Sequence, residues 1–553
     1  MKKLFITAIL LMIILTHTIA IAQSVDTAWV RRYDGSSSQN DQVQDIAVDD
    51  SGNVYVTGGS GGLGTWLDCV TLKYDACGNE LWVGRYNGSM GSDDMAYDLA
   101  LDDSGNVFVT GVSSETWTGA DYVTIKYYPA GDTAWARTYC APGEPEGLWD
   151  YSWAITVVAS GNVVVTGQSM GLETNYDYAT IKYYSNGDTG WVRRYSGPGN
   201  SGDRALAVTA DDSGNVYVTG GSGWTNVNYA TTKYDSSGNE LWVRIYDGPG
   251  NSFDQACAMT VDASYNVYVT GQSWSGTYDD YATIKYCANG DTGWVRRYNG
   301  PGDSTDHALA IEVDGFGNVF VTGYSAGDGS DLDYATIKYD SSGTQKWVAR
   351  YNGPGNLTDK ACALAVDLCG DVLVTGSSYG DGTYEDYATI RYDSSGNEVW
   401  VKRYNGLGDS ADIASSIALD DSGNVYVGGK SWGSGTSFDY TTIKYVQTET
   451  SVEEQKNQNL VLPLTLLQNY PNPFNPETRI EYYLHKPTWV NLTLYNILGQ
   501  KVKVLVDEFQ TAGTRSVSWN GKDANGRVIS SGIYFYKLET ADHSESRKML
   551  LLK

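Results

Sequence analysis

From Gly52 to Gly58 the chain reads GNVYVTG, and a run of this form recurs, with variation, seven more times before residue 430. After each comes a run like DYATIKY, as from Asp280 to Tyr286. A third run, of the form WVRRY, opens at Trp29, Trp82, Trp135, Trp191, Trp242, Trp294, Trp347 and Trp400. The gaps between those tryptophans, by subtraction, are 53, 53, 56, 51, 52, 53 and 53 residues. A spacing this regular marks one supersecondary unit copied along the chain.

Each unit holds four strand-like segments. The first is rich in small residues, as in Ala361-Cys362-Ala363-Leu364-Ala365-Val366. A turn (Asp50 to Asn53 in the first full unit) leads to the VYVTG segment, and a longer Gly/Ser/Thr/Trp loop leads to YATIKY. A second Gly-Asn turn, such as Asp235 to Asn239, leads to the Trp-opened segment. Gly and Asn supply the positive-φ positions of tight hairpins, and alternating β-branched and aromatic residues supply strands. Four antiparallel strands in about fifty residues describe a propeller blade, with the small first strand nearest the crowded channel. The chain begins with a fourth strand, Trp29 to Tyr33, that lacks a third, and the array ends with a third strand, Tyr440 to Tyr445, that lacks a fourth. Pairing them completes one blade and leaves no free edge. The fold expected is therefore all-β, an eight-bladed β-propeller closed by its two end strands; seven blades would leave a unit unplaced.

The VYVTG and DYATIKY pattern resembles the bacterial SBBP-type β-propeller repeat, over roughly residues 25 to 446. The turn Asp235, Gly238, Trp242 is similar to the tryptophan-docking turn of quinoprotein-like propellers, one residue tighter.

The remainder of the chain adds addresses. Lys2 and Lys3 precede an apolar run from Leu4 to Leu15, and Ala20-Ile21-Ala22 has the form of a cleavage site. A signal peptide over 1–22, cut between Ala22 and Gln23, is expected, because the run is short for a bilayer span. The propeller is then expected over 23–446, a polar linker over 447–462 and a second domain over 463–553. In that second domain, Asn520-Gly521 and Asn525-Gly526 mark turns among six or seven short alternating segments, the pattern of a small β-sandwich. Four motifs in order, Tyr470-Pro471-Asn472-Pro473-Phe474-Asn475, Leu494 to Gln500, Ser531 to Tyr536 and Lys548 to Lys553, resemble the type A C-terminal sorting domain of the type IX secretion system, related to hook-capping Ig-like domains. The resemblance implies the type IX machinery as a partner and a secreted or outer-membrane-surface location in a Gram-negative-type bacterium.

Composition narrows function by exclusion. The 553 residues carry 63 Gly, 43 Tyr and 17 Trp, with a formal net charge of −28. An acidic chain lacks the basic footprint that nucleic acid requires. Seven cysteines at irregular positions form no disulfide framework and include no CxxC pair. Three histidines remain beyond the signal segment, His307, His485 and His543, which argues against a His triad or His-rich metal site. No H-E-x-x-H or P-loop is present. An enzyme is therefore less expected than a binding protein, no cofactor is required, and a monomer is expected.

Two patterns nominate residues. An Asp precedes the first strand of every unit: Asp41, Asp94, Asp150, Asp203, Asp254, Asp306, Asp359 and Asp412. A second set opens the third strand: Asp68, Asp121, Asp177, Asp280, Asp333, Asp386 and Asp439, with Asn228 in the fourth unit. Both sets should lie on one face, either as a carboxylate mouth for Ca²⁺ or as acceptors tying loops together. Recurrence in every unit favours the tie, since a true site breaks symmetry. Loop aromatics on that face, Trp66, Trp117, Trp149, Trp153, Trp224, Trp274, Tyr379 and Trp432, suit a glycan or protein ligand, or else lid the gaps between blades. The expected role is an exported surface or secreted binding protein. The alternatives are a propeller-type polysaccharide lyase or hydrolase and a structural surface-layer component.

Overall fold

The computed structural model describes residues 22–450 and 464–552, apart from short stretches at 38, 90, 117–118, 142–148, 172–174, 200–201, 330, 409, 434, 436, 467–468, 470–471, 473, 485–486, 497–499, 512 and 541–543. The expected signal peptide, Ala22 excepted, lies outside these residues. Two compact units separate at Val452 and Glu453.

The first unit contains eight four-stranded antiparallel sheets, one for each Trp-opened repeat. In the first blade the strands are Asp41–Val48, Val54–Gly61, Leu67–Tyr74 and Glu80–Tyr86, paired in chain order. In the eighth, Asp412–Leu419, Val425–Trp432 and Phe438–Thr450 are completed by the N-terminal strand Ala22–Tyr33. The closing ladder is longer than the sequence suggests: Ala22 to Val25 pair with Thr450 to Gln447, so the first four residues of the expected linker belong to the propeller. Eight buried clusters, one at each interface between neighbouring blades, make a continuous ring. The cluster joining Val43 and Ile46 of the first blade to Tyr426 and Tyr440 of the eighth closes it.

The repeated letters have repeated tasks. Asp49 accepts the amides of Ser51 and Asn53 at 2.9 Å and the Tyr55 hydroxyl at 2.9 Å, which fixes the first hairpin with Gly52 at φ 75°. Thr57 and Thr71 share a buried hydroxyl hydrogen bond at 2.9 Å, so the polar atoms of VTG and VTL are satisfied inside the sheet. Trp191 packs onto Gly238 of the following blade, where a Cβ would stand 2.8 Å from the indole. Gly238 is therefore fixed by close approach as well as by its φ of 82°. The tryptophan docked on this turn comes from the preceding blade, while Trp242 docks on Gly290 of the next. Arg193 lies 5.6 Å over the Trp191 ring, and Lys182 donates to the Ser236 carbonyl at 3.0 Å. Each such interface combines aromatic burial, worth about 2 kcal/mol per ring, with satisfied polar atoms.

The second unit has two sheets. One contains Leu464–Leu466, Thr478–Leu484 and Gly513–Trp519; the other contains Thr488–Asn496, Lys501–Gln510, Gly532–Glu539 and Ser544–Leu551. They enclose one core built around Trp519, Phe474, Tyr536 and Leu551. Motifs far apart in sequence meet there. Phe474 donates its amide to the Leu550 carbonyl at 3.0 Å, and Asn472 accepts the Leu550 amide at 2.8 Å. The Tyr536 hydroxyl accepts the Asn469 amide at 2.8 Å. Among the described residues no helix is long and apolar enough to cross a membrane.

Candidate functional site

The two faces of the ring differ in kind. One carries the short hairpins between strands one and two and between three and four, closed mostly by Asp and Gly in the same way from blade to blade. The other carries the loops that vary in length and content, and both Asp sets lie on it. Two hollows of about 460 and 450 Å³ lie among the hairpins, but no aromatic side chain lines either. The varied face is where a ligand-specific surface can form.

On that face much of the first Asp set is taken up by the fold. Asp306 is fully buried and accepts the amides of Gly300 at 2.7 Å and Ala326 at 3.1 Å. Asp41, Asp94, Asp254 and Asp359 repeat this double acceptance. Asp150 accepts Met170, Asp203 accepts Gly197 and Asp412 accepts Gly406. Burial pushes the carboxyls of Asp41, Asp203, Asp254, Asp306, Asp359 and Asp412 up, and that of Asp94 to about 6. These lone pairs serve backbone amides, which removes much of what a Ca²⁺ shell would use.

The second Asp set has a partner that sequence reasoning missed, the second Arg of WVRRY. Arg32 meets Asp439 at 2.9 Å, Arg85 Asp68 at 2.6 Å, Arg194 Asp177 at 3.0 Å, Arg297 Asp280 at 2.8 Å, Arg350 Asp333 at 2.9 Å and Arg403 Asp386 at 2.8 Å. Most of these guanidiniums also reach a tyrosine hydroxyl of the preceding blade, as Arg297 reaches Tyr246 at 3.2 Å. The signal was available: the blade with Asn228 in place of Asp has Ile245 in place of Arg, so both partners are lost together. In the second blade Thr138 stands at the Arg position.

Around the broken tie of the fourth blade the surface opens. Trp224 is 62% exposed and borders two hollows. One, about 180 Å³, is lined by Gln168, Tyr176, Arg204, Trp224, Phe253 and Gln255, among others. The other, about 350 Å³, reaches Asn228 and Ile245. The indole lies close over Gly202, where a Cβ would come within 2.9 Å of it, and Gly223 donates to the Gly202 carbonyl at 3.1 Å. The Asn228 side-chain oxygen is buried with no hydrogen-bond partner.

The residue that follows each ring Asp differs from blade to blade: Gln42, Met95, Tyr151, Arg204, Gln255, His307, Lys360 and Ile413. Tyr151 joins an aromatic ladder, with Trp149 at 6.0 Å, Trp153 at 5.2 Å, and Trp153 to Tyr97 at 4.6 Å between ring centres. His307 sits between Asp279 and Tyr324, with Nε2 to the carboxylate at 3.1 Å and Nδ1 to the hydroxyl at 2.6 Å. One histidine suffices for this network, so the scarcity of histidine did not exclude it. Further along the inner strands, Asp98 accepts the Ile155 amide at 2.7 Å, and its carboxyl is pushed well up by burial and by Asp45.

The remaining nominated aromatics divide. Trp66 stands in its loop and is 70% exposed, and Trp149 is 47% exposed. Three others were misplaced by the sequence reading: Trp274, Tyr379 and Trp432 end the second strands of their blades and are half-buried. Trp153 is likewise no loop residue but lies inside Tyr151–Val158, at a bulge. In each case the alternating pattern runs one turn further than the loop composition suggested. Trp117 lies outside the described residues. Asp34, Asp41 and Asp439 bring carboxylate oxygens within 4.8 Å of one another, with Arg32 already on Asp439.

Two family descriptions match parts of the chain. Residues 468–552 match the family described as secretion system C-terminal sorting domain, and residues 29–63 and 399–435 match the family described as beta-propeller repeat. The chain thus carries SBBP-type propeller repeats and a type IX sorting domain, and it is exported to the surface or beyond. An uncharacterized WD repeat-containing protein of Acanthamoeba polyphaga mimivirus is 26% identical over 400 residues, 65% of this chain and 26% of that protein. The regulatory protein FlaEY of Caulobacter vibrioides is 32% identical over 116 residues, 18% of this chain and 12% of that protein. The match therefore spans 26% and 12% of the lengths of these two curated relatives. Among solved structures, PorZ, a surface component of the type IX secretion system of Porphyromonas gingivalis, is 12% identical with a TM-score of 0.26, covering 92% of this chain and 81% of that one. The polysaccharide lyase Uly1 is 11% identical with a TM-score of 0.38, covering 73% and 89%. Overlaps of that size carry no argument about this site.

Proposed function

We propose that the exported propeller is a binding protein whose ligand, a glycan, seats on the varied face around Trp224. The observation that carries the reading is the coincidence of three departures from the repeat in one blade. The Asp–Arg tie is absent, an exposed indole stands beside it, and two hollows open against that indole. An exposed ring flanked by amide side chains gives large contact area beside hydrogen-bonding partners, which is what a sugar face requires. Trp66 and Trp149 extend the aromatic surface along the same face. The test is a glycan array run on the exported chain with and without Ca²⁺, followed by Trp224→Ala on any hit. Loss of binding with unchanged thermal stability is expected; unchanged binding would sink the reading.

A second reading, a polysaccharide lyase or hydrolase, has one observation in its favour. The Asp279–His307–Tyr324 network orients an imidazole against a hydroxyl on the same face, an arrangement able to move a proton. Sustained turnover of a glycan, abolished by His307→Gln, would promote it.

A further inference from the structure

We infer that the ligand at Trp224 is a saccharide bearing a carboxylate, and that Arg204 is the residue that meets the charge. This rests on the binding reading above and names its ligand class.

Arg204 owes nothing to the repeat. Its neighbours in register are Gln, Met, Tyr, His, Lys and Ile, so the scaffold asks for no cation there. The other arginines of the blades are largely committed. Those of the first kind, Arg31, Arg193, Arg244 and Arg296, lie over a tryptophan and donate to the next hairpin. Those of the second kind hold an Asp, as described. Arg204 does neither. Its Nε donates to the Gln168 side-chain oxygen at 2.6 Å, which fixes the guanidinium plane at the edge of the 180 Å³ hollow. Among the described residues, its two terminal nitrogens make no hydrogen bond or ion pair. A guanidinium held by one edge presents the other to a planar anion, and carboxylate matches that fork.

The remaining walls choose the rest of the ligand. Trp224 and Phe253, 62% and 39% exposed, offer flat apolar faces, and Gln255 offers an amide for hydroxyls. The hollow is smaller than an ordinary ligand pocket, so it suits one ring of a chain, with the 350 Å³ hollow that the same indole borders taking the next. The formal charge of −28 repels an anionic chain at long range, so the attraction must be local. Binding is therefore expected to tolerate moderate salt, which screens the repulsion before it weakens a partly enclosed contact.

The experiment titrates the exported chain with oligogalacturonate, with its methyl ester and with oligoglutamate. The acid should bind about tenfold more tightly than the ester, and Arg204→Gln should erase that difference while leaving ester binding in place. Arg204→Lys should restore part of it. Equal binding of acid and ester, still lost in Trp224→Ala, overturns the anionic assignment and leaves the glycan reading standing. Tighter binding of oligoglutamate overturns the saccharide class. No binding to any of the three overturns the inference, and the neutral members of the glycan array then decide the reading on which it rests.

Discussion

The ring aspartates and the residues one place after them differ by a single position in sequence and by everything in environment. Asp306 is fully buried, its oxygens given to Gly300 and Ala326, and a carboxylate holds the same place in all eight units. His307 beside it is part-exposed, and the eight residues in its register include an arginine, a lysine, a tyrosine and a methionine. The same strand thus alternates between a position every blade needs and one that each blade is free to use differently. Period-two alternation explains how: successive side chains leave opposite faces of the sheet. The largest effect should follow from breaking the first kind. Asp306→Ala leaves one buried and one part-buried amide without acceptors and is expected to cost about 3 kcal/mol in equilibrium urea unfolding. His307→Ala should cost about 1 kcal/mol or less, because its partners can turn to water. Equal losses at the two sites would erase the distinction.

The same contrast decides what could be read from the sequence. Strand content, blade order and the closing pair were legible because each rests on residues repeated eight times, with Trp and Gly marking every interface. The tie role of the ring Asp was legible for the same reason. The second Arg of WVRRY was also repeated, but its partner lies seventeen residues back on the neighbouring strand, so only the joint loss at Asn228 and Ile245 pointed to the pair. The Trp224 hollow needed three-dimensional contact, since Gln168, Arg204, Trp224 and Phe253 come from three blades and the loops between them. Trp153, Trp274, Tyr379 and Trp432 were placed in loops because Gly and Ser around them resemble loop composition, while the ladder continued through them. The Asp279–His307–Tyr324 network escaped because composition counts histidines and not their neighbours.

A pH experiment sharpens the comparison at a second unrepeated position. Glu312 stands where other blades carry Ala or Thr, and it accepts the Val366 amide at 3.0 Å. Burial pushes its carboxyl up to about 7. A carboxyl raised on folding stabilises the protein while protonated, and that contribution is lost as pH rises through the folded value. Stability should therefore fall between about pH 5 and 8, and Glu312→Gln should flatten the fall. At pH 8 the variant is expected to be more stable by about 2 kcal/mol, since it keeps the acceptor and removes the buried charge. A thermal melt series from pH 5 to 8 on both chains checks it, and parallel profiles would refute the assignment.

The smallest change in stability should carry the most information about the site. In the fourth blade the double replacement Asn228→Asp with Ile245→Arg rebuilds the tie that six other blades have. The surroundings are ready for it: Tyr195 stands where Tyr246 meets Arg297, and Ser222 stands where Ser273 does. Part-exposed pairs of this kind are worth about 1 kcal/mol at most, so the gain should be near that and should shrink in high salt. The introduced guanidinium would also fill the hollow of about 350 Å³ that Asn228 and Ile245 line. If the broken tie exists to make room for ligand, affinity should fall about tenfold while stability rises, a trade seen where binding surfaces depart from the best-packed scaffold. Asp280→Asn with Arg297→Ile, the reverse change one blade on, should lower stability by a similar amount and leave ligand binding alone. Opposite signs in the two blades would tie the lost pair to the site; equal behaviour would make the fourth blade an ordinary member of the ring.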